Sequence, residues 1–145
     1  MKLCLVCSHG GHMTELLELG SAWAEHEVFF ITYHSPRSLP ARAYLFGNLT
    51  ERRLRILPMF FRVLNILWRE RPEWVVSDGA EIAIPVFVAA KLLGLKTLFI
   101  ESLCRVKAPS FTGRVLYPLS DVFLVQWPTL LSRYGSKARH EGAVI

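Results

Sequence analysis

Residues 2–12, KLCLVCSHGGH, run as a short apolar strand, break at Gly10-Gly11 and open a helix at once. A strand turning on glycines into a helix is the opening unit of a parallel α/β sheet. Glycine lets the backbone approach a ligand closely, and the free N–H groups at a helix start, with its dipole, favour negative charge. The join therefore offers a seat for a phosphate or diphosphate at Ser8, Gly10 and Gly11, with His12 beside it. The same residues also fit a plain strand-to-helix turn. G-x-G-x-x-G, G-x-x-x-x-G-K-[ST] and G-x-S-x-G are all absent, which removes the dinucleotide, P-loop and serine-hydrolase signatures.

Outward from that join, near-continuous apolar runs alternate with helix-like ones. Strands are predicted at 2–7, 27–33, 53–57, 73–77, 96–100 and 121–125, and such runs suit parallel strands covered on both faces. Helices are predicted at 12–24, 58–70, 84–93, 111–119 and 128–133; Pro85 suits a first turn and Gly94 a cap. Residues 34–50 read as a long mobile loop. The alternation implies right-handed crossovers and a single, Rossmann-like, doubly wound α/β sheet over residues 1–145. In that fold the ligand crevice lies where the winding reverses, between the first and fourth strands. The loops Ser8–Gly11 and Asp78–Glu81 flank that point, and a third loop begins at Glu101.

A 145-residue chain is long enough for one domain with a real core. It is 52% hydrophobic, yet no apolar run reaches the roughly 18 residues of a membrane span. Met1-Lys2-Leu3 leads directly into a strand, so no signal peptide is expected. Three cysteines predict a reduced compartment, with Cys4 and Cys7 on opposite faces of the first strand and unable to pair. No metal-ligand spacing occurs, and no metal or other cofactor is implied.

The net charge is +5, and segment 51–71 carries six arginines against two glutamates. These arginines are interleaved with large aliphatic and aromatic groups and lack a base-reading helix, so nucleic acid is not the expected partner. Helix 58–70 is apolar on nearly all sides. A helix packed on a sheet needs less than that. One side is expected to pack inward and another to meet a membrane surface or a partner protein, through Phe60, Phe61, Arg62, Leu64 and Trp68.

Candidate chemistry follows from the loops at the crevice. Glu101, at the end of a buried strand, suits a general base, and His12 is the other candidate because imidazole titrates near neutrality. Ser102, Arg105 and Lys107 follow Glu101, and the two cations suit phosphates; a structural Arg–Glu pair is the competing reading. Asp78-Gly79 either orders the turn after the fourth strand or ligates a substrate hydroxyl.

The segments Ser8–His12, Ser77-Asp78-Gly79, Ala89–Gly94, Ile100-Glu101-Ser102, Arg105-Val106-Lys107, Leu116–Asp121 and Val125–Pro128 together resemble one family closely. It is the membrane-anchoring subunit family of the two-subunit UDP-N-acetylglucosamine transferase of N-glycan precursor assembly, with its prokaryotic capsule and exopolysaccharide relatives. The resemblance implies the amino-terminal half of a GT-B glycosyltransferase, inverting and metal-independent. A separate catalytic subunit would hold the UDP-sugar. This half would take a polyprenyl-diphosphate-linked sugar at the cytoplasmic face of the membrane, as a peripheral protein. Gly10, Gly11 and His12 match the family's glycine loop and histidine; Glu101 matches its acidic residue near the acceptor. The family's amino-terminal membrane span has no counterpart here, which leaves anchoring to helix 58–70 or to the partner. The competing expectation is a non-catalytic anchor, with every catalytic group on the partner.

Overall fold

The computed structural model describes residues 1–144. Seven strands form one wholly parallel sheet in the order β3-β2-β1-β4-β5-β6-β7. They are β1 (Lys2–Val6), β2 (Glu27–Tyr33), β3 (Ala43–Phe46), β4 (Trp74–Ser77), β5 (Lys96–Ile100), β6 (Val122–Val125) and β7 (Ala138–His140). The helices between them are α1 (Gly11–Glu18), α2 (Gly20–Trp23), α3 (Ile56–Glu70), α4 (Ala83–Leu92), α5 (Phe111–Leu116) and α6 (Leu131–Tyr134). The winding reverses between β1 and β4, as the sequence pattern requires.

Alternation along the strands divides the core into two layers. On one face Cys4, Val6, Phe29, Ile31 and Phe99 meet Val63 and Leu67 of α3, Phe87 of α4 and Leu116 of α5. On the other, Leu3, Leu5, Cys7 and Phe30 meet Met13 and Leu16 of α1. Cys4 and Cys7 thus fall in opposite layers. Helix α4 is apolar all round because it lies under α3 and α5, and six of its ten residues are buried. Gly94 adopts φ 72° just past its end, the left-handed conformation that glycine takes without strain.

The expected strand at 53–57 is instead a 3-10 turn, Arg53–Arg55, leading into α3. Three arginines within four residues have no buried face to offer, and the whole turn is exposed. The sheet edge is taken by β3, inside the stretch read as a loop. Phe46 supplies its buried anchor, and the Arg62 guanidinium caps that ring at 4.3 Å while donating to the Leu45 carbonyl at 3.0 Å. The helix predicted at 12–24 is broken at Leu19-Gly20 into α1 and α2. The one predicted at 111–119 ends at Leu116, two residues before Pro118, which cannot continue it. Strand β7 has three residues, two of them exposed and polar, and so carries no apolar run to announce it.

Candidate functional site

The register Val6↔Ser77 brings the ends of β1 and β4 level, so the segments Cys7–Gly10 and Asp78–Ala80 leave the sheet side by side. Gly10, at φ 96°, turns the chain into α1. No side chain caps this helix, and its first internal bond runs from the Thr14 N–H to the Gly10 carbonyl at 3.0 Å. The N–H groups of Gly11, His12 and Met13 therefore lack an intrahelical acceptor. A crevice of ≈ 420 Å³ opens in front of them, lined by Gly11, His12, Glu15, Gly79, Ala80, Glu101 and Arg105, among others. Ala80 holds φ 69°, a strained conformation of the kind that gathers at functional sites.

His12 stands at the heart of this crevice. Its Nδ1 lies 3.4 Å from Oδ2 of Asp78, near enough for the charges to act but not aligned as a hydrogen bond. Asp78 is 1% exposed, and among the described residues neither carboxylate oxygen has a hydrogen-bond partner. Burial pushes the Asp78 carboxyl up to about 6. The adjacent carboxylate in turn raises the His12 imidazole above its usual value. A Cβ on Gly79 would stand 2.8 Å from His12 Cε1, so this glycine makes room for the ring.

Asp78 therefore lies behind His12 and does not line the crevice. It does not order the turn either: the Gly79 N–H donates to the Ser77 hydroxyl at 3.1 Å, and Ser77 has that role.

Glu101 is equally buried but fully engaged. Its Oε1 accepts from the Ser102 N–H at 3.0 Å. Its Oε2 accepts from the Ser110 N–H and hydroxyl, both at 3.0 Å, and from the Tyr134 hydroxyl. Burial, then the Glu101 carboxylate, raise the Tyr134 phenol. Gly113 is packed against this knot, where a Cβ would overlap the Tyr134 hydroxyl oxygen. Glu101 takes no bond from Arg105, so the competing reading of a structural Arg–Glu pair does not hold; the carboxylate ties down the segment 101–110 that carries Arg105.

Two further residues hold the crevice together, and the sequence reading passed over both as site residues. Glu15 accepts from the Ser102 hydroxyl at 2.9 Å and the Leu103 N–H at 3.0 Å. Gln126 donates from Nε2 to Glu15 Oε2 and to the Glu101 carbonyl, each at 3.0 Å. The spacing His12-x-x-Glu15, one helical turn, was the available signal for the first.

Of the two cations, Arg105 faces the crevice with His12. Lys107 lines a separate hollow with Arg114 and Arg133. Ser8 is half-buried and does not line the crevice.

The α3 residues divide as well. Phe61 and Trp68 are 65% and 58% exposed, joined by Leu54, Ile56 and Leu57. Phe60 and Leu64 pack against the core, and Arg62 is spent on Phe46 and Leu45. Arg71 lies over the Trp68 ring at 4.6 Å. Among the described residues no helix is long and apolar enough to cross a membrane.

Comparison with known proteins agrees with this architecture. The family described as "Oligosaccharide biosynthesis protein Alg14 like" matches residues 48–144. The UDP-N-acetylglucosamine transferase subunit ALG14 of Rattus norvegicus is 36% identical, over 92% of this chain and 79% of its own length. That of Mus musculus is 28% identical with the same coverage. Among solved structures, Acinetobacter baumannii MurG superposes with a TM-score of 0.81 at 17% identity, over 99% of this chain and 45% of MurG. The UDP-GlcNAc 2-epimerase of Methanocaldococcus jannaschii gives 0.73 at 14% identity, over 99% and 46%. At such identities the likeness is one of fold, the Rossmann-like lobe of the GT-B architecture. The chain spans less than half the length of either solved structure.

Proposed function

The chain belongs to the Alg14 family of oligosaccharide-biosynthesis proteins, and we propose that it is the acceptor-binding, membrane-recruiting subunit of a two-subunit, inverting GT-B glycosyltransferase. The acceptor is a polyprenyl-diphosphate-linked sugar presented at the cytoplasmic face of a membrane, and the donor is a UDP-sugar held by the catalytic partner. The observation that carries this reading is the ≈ 420 Å³ crevice, where unsatisfied helix-start amides, a carboxylate-backed histidine and an arginine converge.

The chemistry follows from the charges. The N–H groups of Gly11 and His12, with the Arg105 guanidinium, hold the diphosphate. Asp78 keeps the His12 proton on Nδ1 and leaves Nε2 for the substrate. Nε2 takes the proton of the acceptor hydroxyl as its oxygen attacks the anomeric carbon of the UDP-sugar. The new C–O bond forms while the bond to UDP breaks, and UDP leaves on the partner's side. Glu101, with both oxygens occupied, positions the Arg105 segment. The exposed apolar side chains of residues 54–68, with their arginines, meet the bilayer and its anionic headgroups.

A non-catalytic anchor is the rival reading, favoured by the engagement of Glu101. Co-expression with the UDP-sugar-binding subunit separates the two. His12→Ala is expected to lose transfer about 100-fold or more, the scale of a missing general base, with the complex intact on gel filtration. Full turnover by that complex would leave only the anchor role.

A further inference from the structure

Beside the crevice lies a second hollow of ≈ 590 Å³, and Phe111 stands in the walls of both. Ala80 lines the crevice and its neighbour Glu81 lines the hollow, so the turn after β4 divides them. The apolar walls are Leu49, Ile56, Ile84 and Phe111. The polar ones are Thr50, Arg53 and Glu81, and Glu81 is engaged by the Tyr33 hydroxyl at 3.1 Å. Ile56 belongs at once to this wall and to the exposed apolar set of Leu54, Leu57 and Phe61. An apolar hollow thus adjoins an anion seat and shares a residue with the exposed apolar surface. Phe111 stands 74% exposed between the two cavities, an aromatic ring turned to solvent.

That juxtaposition fits one kind of occupant, an amphiphile with a phosphorylated head and a hydrocarbon tail. We propose that the hollow seats the first isoprene units of the polyprenyl chain, next to the diphosphate, and leads the chain from the crevice to the apolar end of α3. The proposal rests on the acceptor reading above and adds a tail site to its head site. A cavity of about 150 Å³ takes a benzene-sized group. On that scale the hollow of ≈ 590 Å³ has room for about four such groups, enough for the three five-carbon units of a farnesyl chain.

Titration calorimetry of the isolated chain with inorganic diphosphate and with farnesyl diphosphate, below its aggregation concentration, tests this. Farnesyl diphosphate is expected to bind at least about tenfold tighter, from apolar area removed from water. Ile56→Gln, at an exposed position, should erase most of that margin and leave inorganic diphosphate binding and the melting curve unchanged. Ile84→Gln should erase it too, keeping diphosphate binding but lowering the melting temperature, because Ile84 also packs on the core. Phe61→Ser, outside the hollow, should keep the margin. Equal affinity for the two ligands in the wild type overturns the tail site and spares the crevice. A margin that survives both glutamine substitutions places the tail elsewhere and also overturns it. Failure of both ligands to bind removes the acceptor reading as well.

Discussion

Asp78 is a carboxylate with no hydrogen-bond donor among the described residues, sealed beneath a histidine. A buried charge without partners is costly, so this carboxylate belongs with His12, and the two titrate as a pair. Removing it has a signed consequence. In Asp78→Asn the His12 pKa should fall, because the carboxylate that raises it is gone, and the shift is readable in an imidazole NMR titration. The proposed mechanism needs a neutral Nε2, so on that reading wild-type activity should rise with pH through the raised His12 value. In the variant that rise moves to lower pH; an unmoved His12 titration would break the link. The Glu101 knot gives a second residue-scale expectation. Gly113→Ala drives a methyl into Glu101 and Tyr134 and should cost about 1–3 kcal/mol in chemical denaturation. Gly10, Gly11 and His12 were legible because they are contiguous at one strand–helix join. Glu15 and Gln126 were not: their bonds span 87 and 111 residues of sequence, and no local pattern encodes them.

At the scale of elements, α3 was legible as a helix with more apolar surface than its packing uses, and the structure divides that surface in two. Leu67 is fully buried, whereas Phe61 and Trp68 stand out. Phe61→Ser with Trp68→Ser should therefore leave the melting temperature almost unchanged, as surface substitutions do, and cut co-sedimentation with anionic vesicles several-fold. Leu67→Ala should do the reverse, costing about 2–5 kcal/mol of stability. Vesicle binding unaffected by the double substitution would assign the exposed face to a protein partner. The mistaken strand at 53–57 and the missed β3 have one physical origin. Apolar content within a five-residue window cannot tell an arginine-rich turn from a strand, and β3 is fixed by tertiary contacts of Phe46 with Arg62 and the core. The buried central strands had no such ambiguity.

At the scale of the whole molecule, the chain is one parallel sheet whose crevice opens at the β1/β4 reversal, and it covers 45% of a MurG chain of the same fold. The proposed function divides the substrates: the lipid-linked diphosphate to this chain, the UDP-sugar to a partner subunit. The same fold occurs in a UDP-GlcNAc 2-epimerase, so the fold alone does not decide that division. Binding does. Amide chemical-shift mapping of the isolated chain, titrated in parallel with a short-chain polyprenyl-diphosphate-linked sugar and with UDP-N-acetylglucosamine, measures it directly. The lipid-linked ligand should shift the amides of Gly10, Gly11 and His12 and saturate, while the nucleotide sugar leaves them unmoved. Saturable binding of UDP-N-acetylglucosamine at those amides, with none of the lipid-linked sugar, would contradict the account.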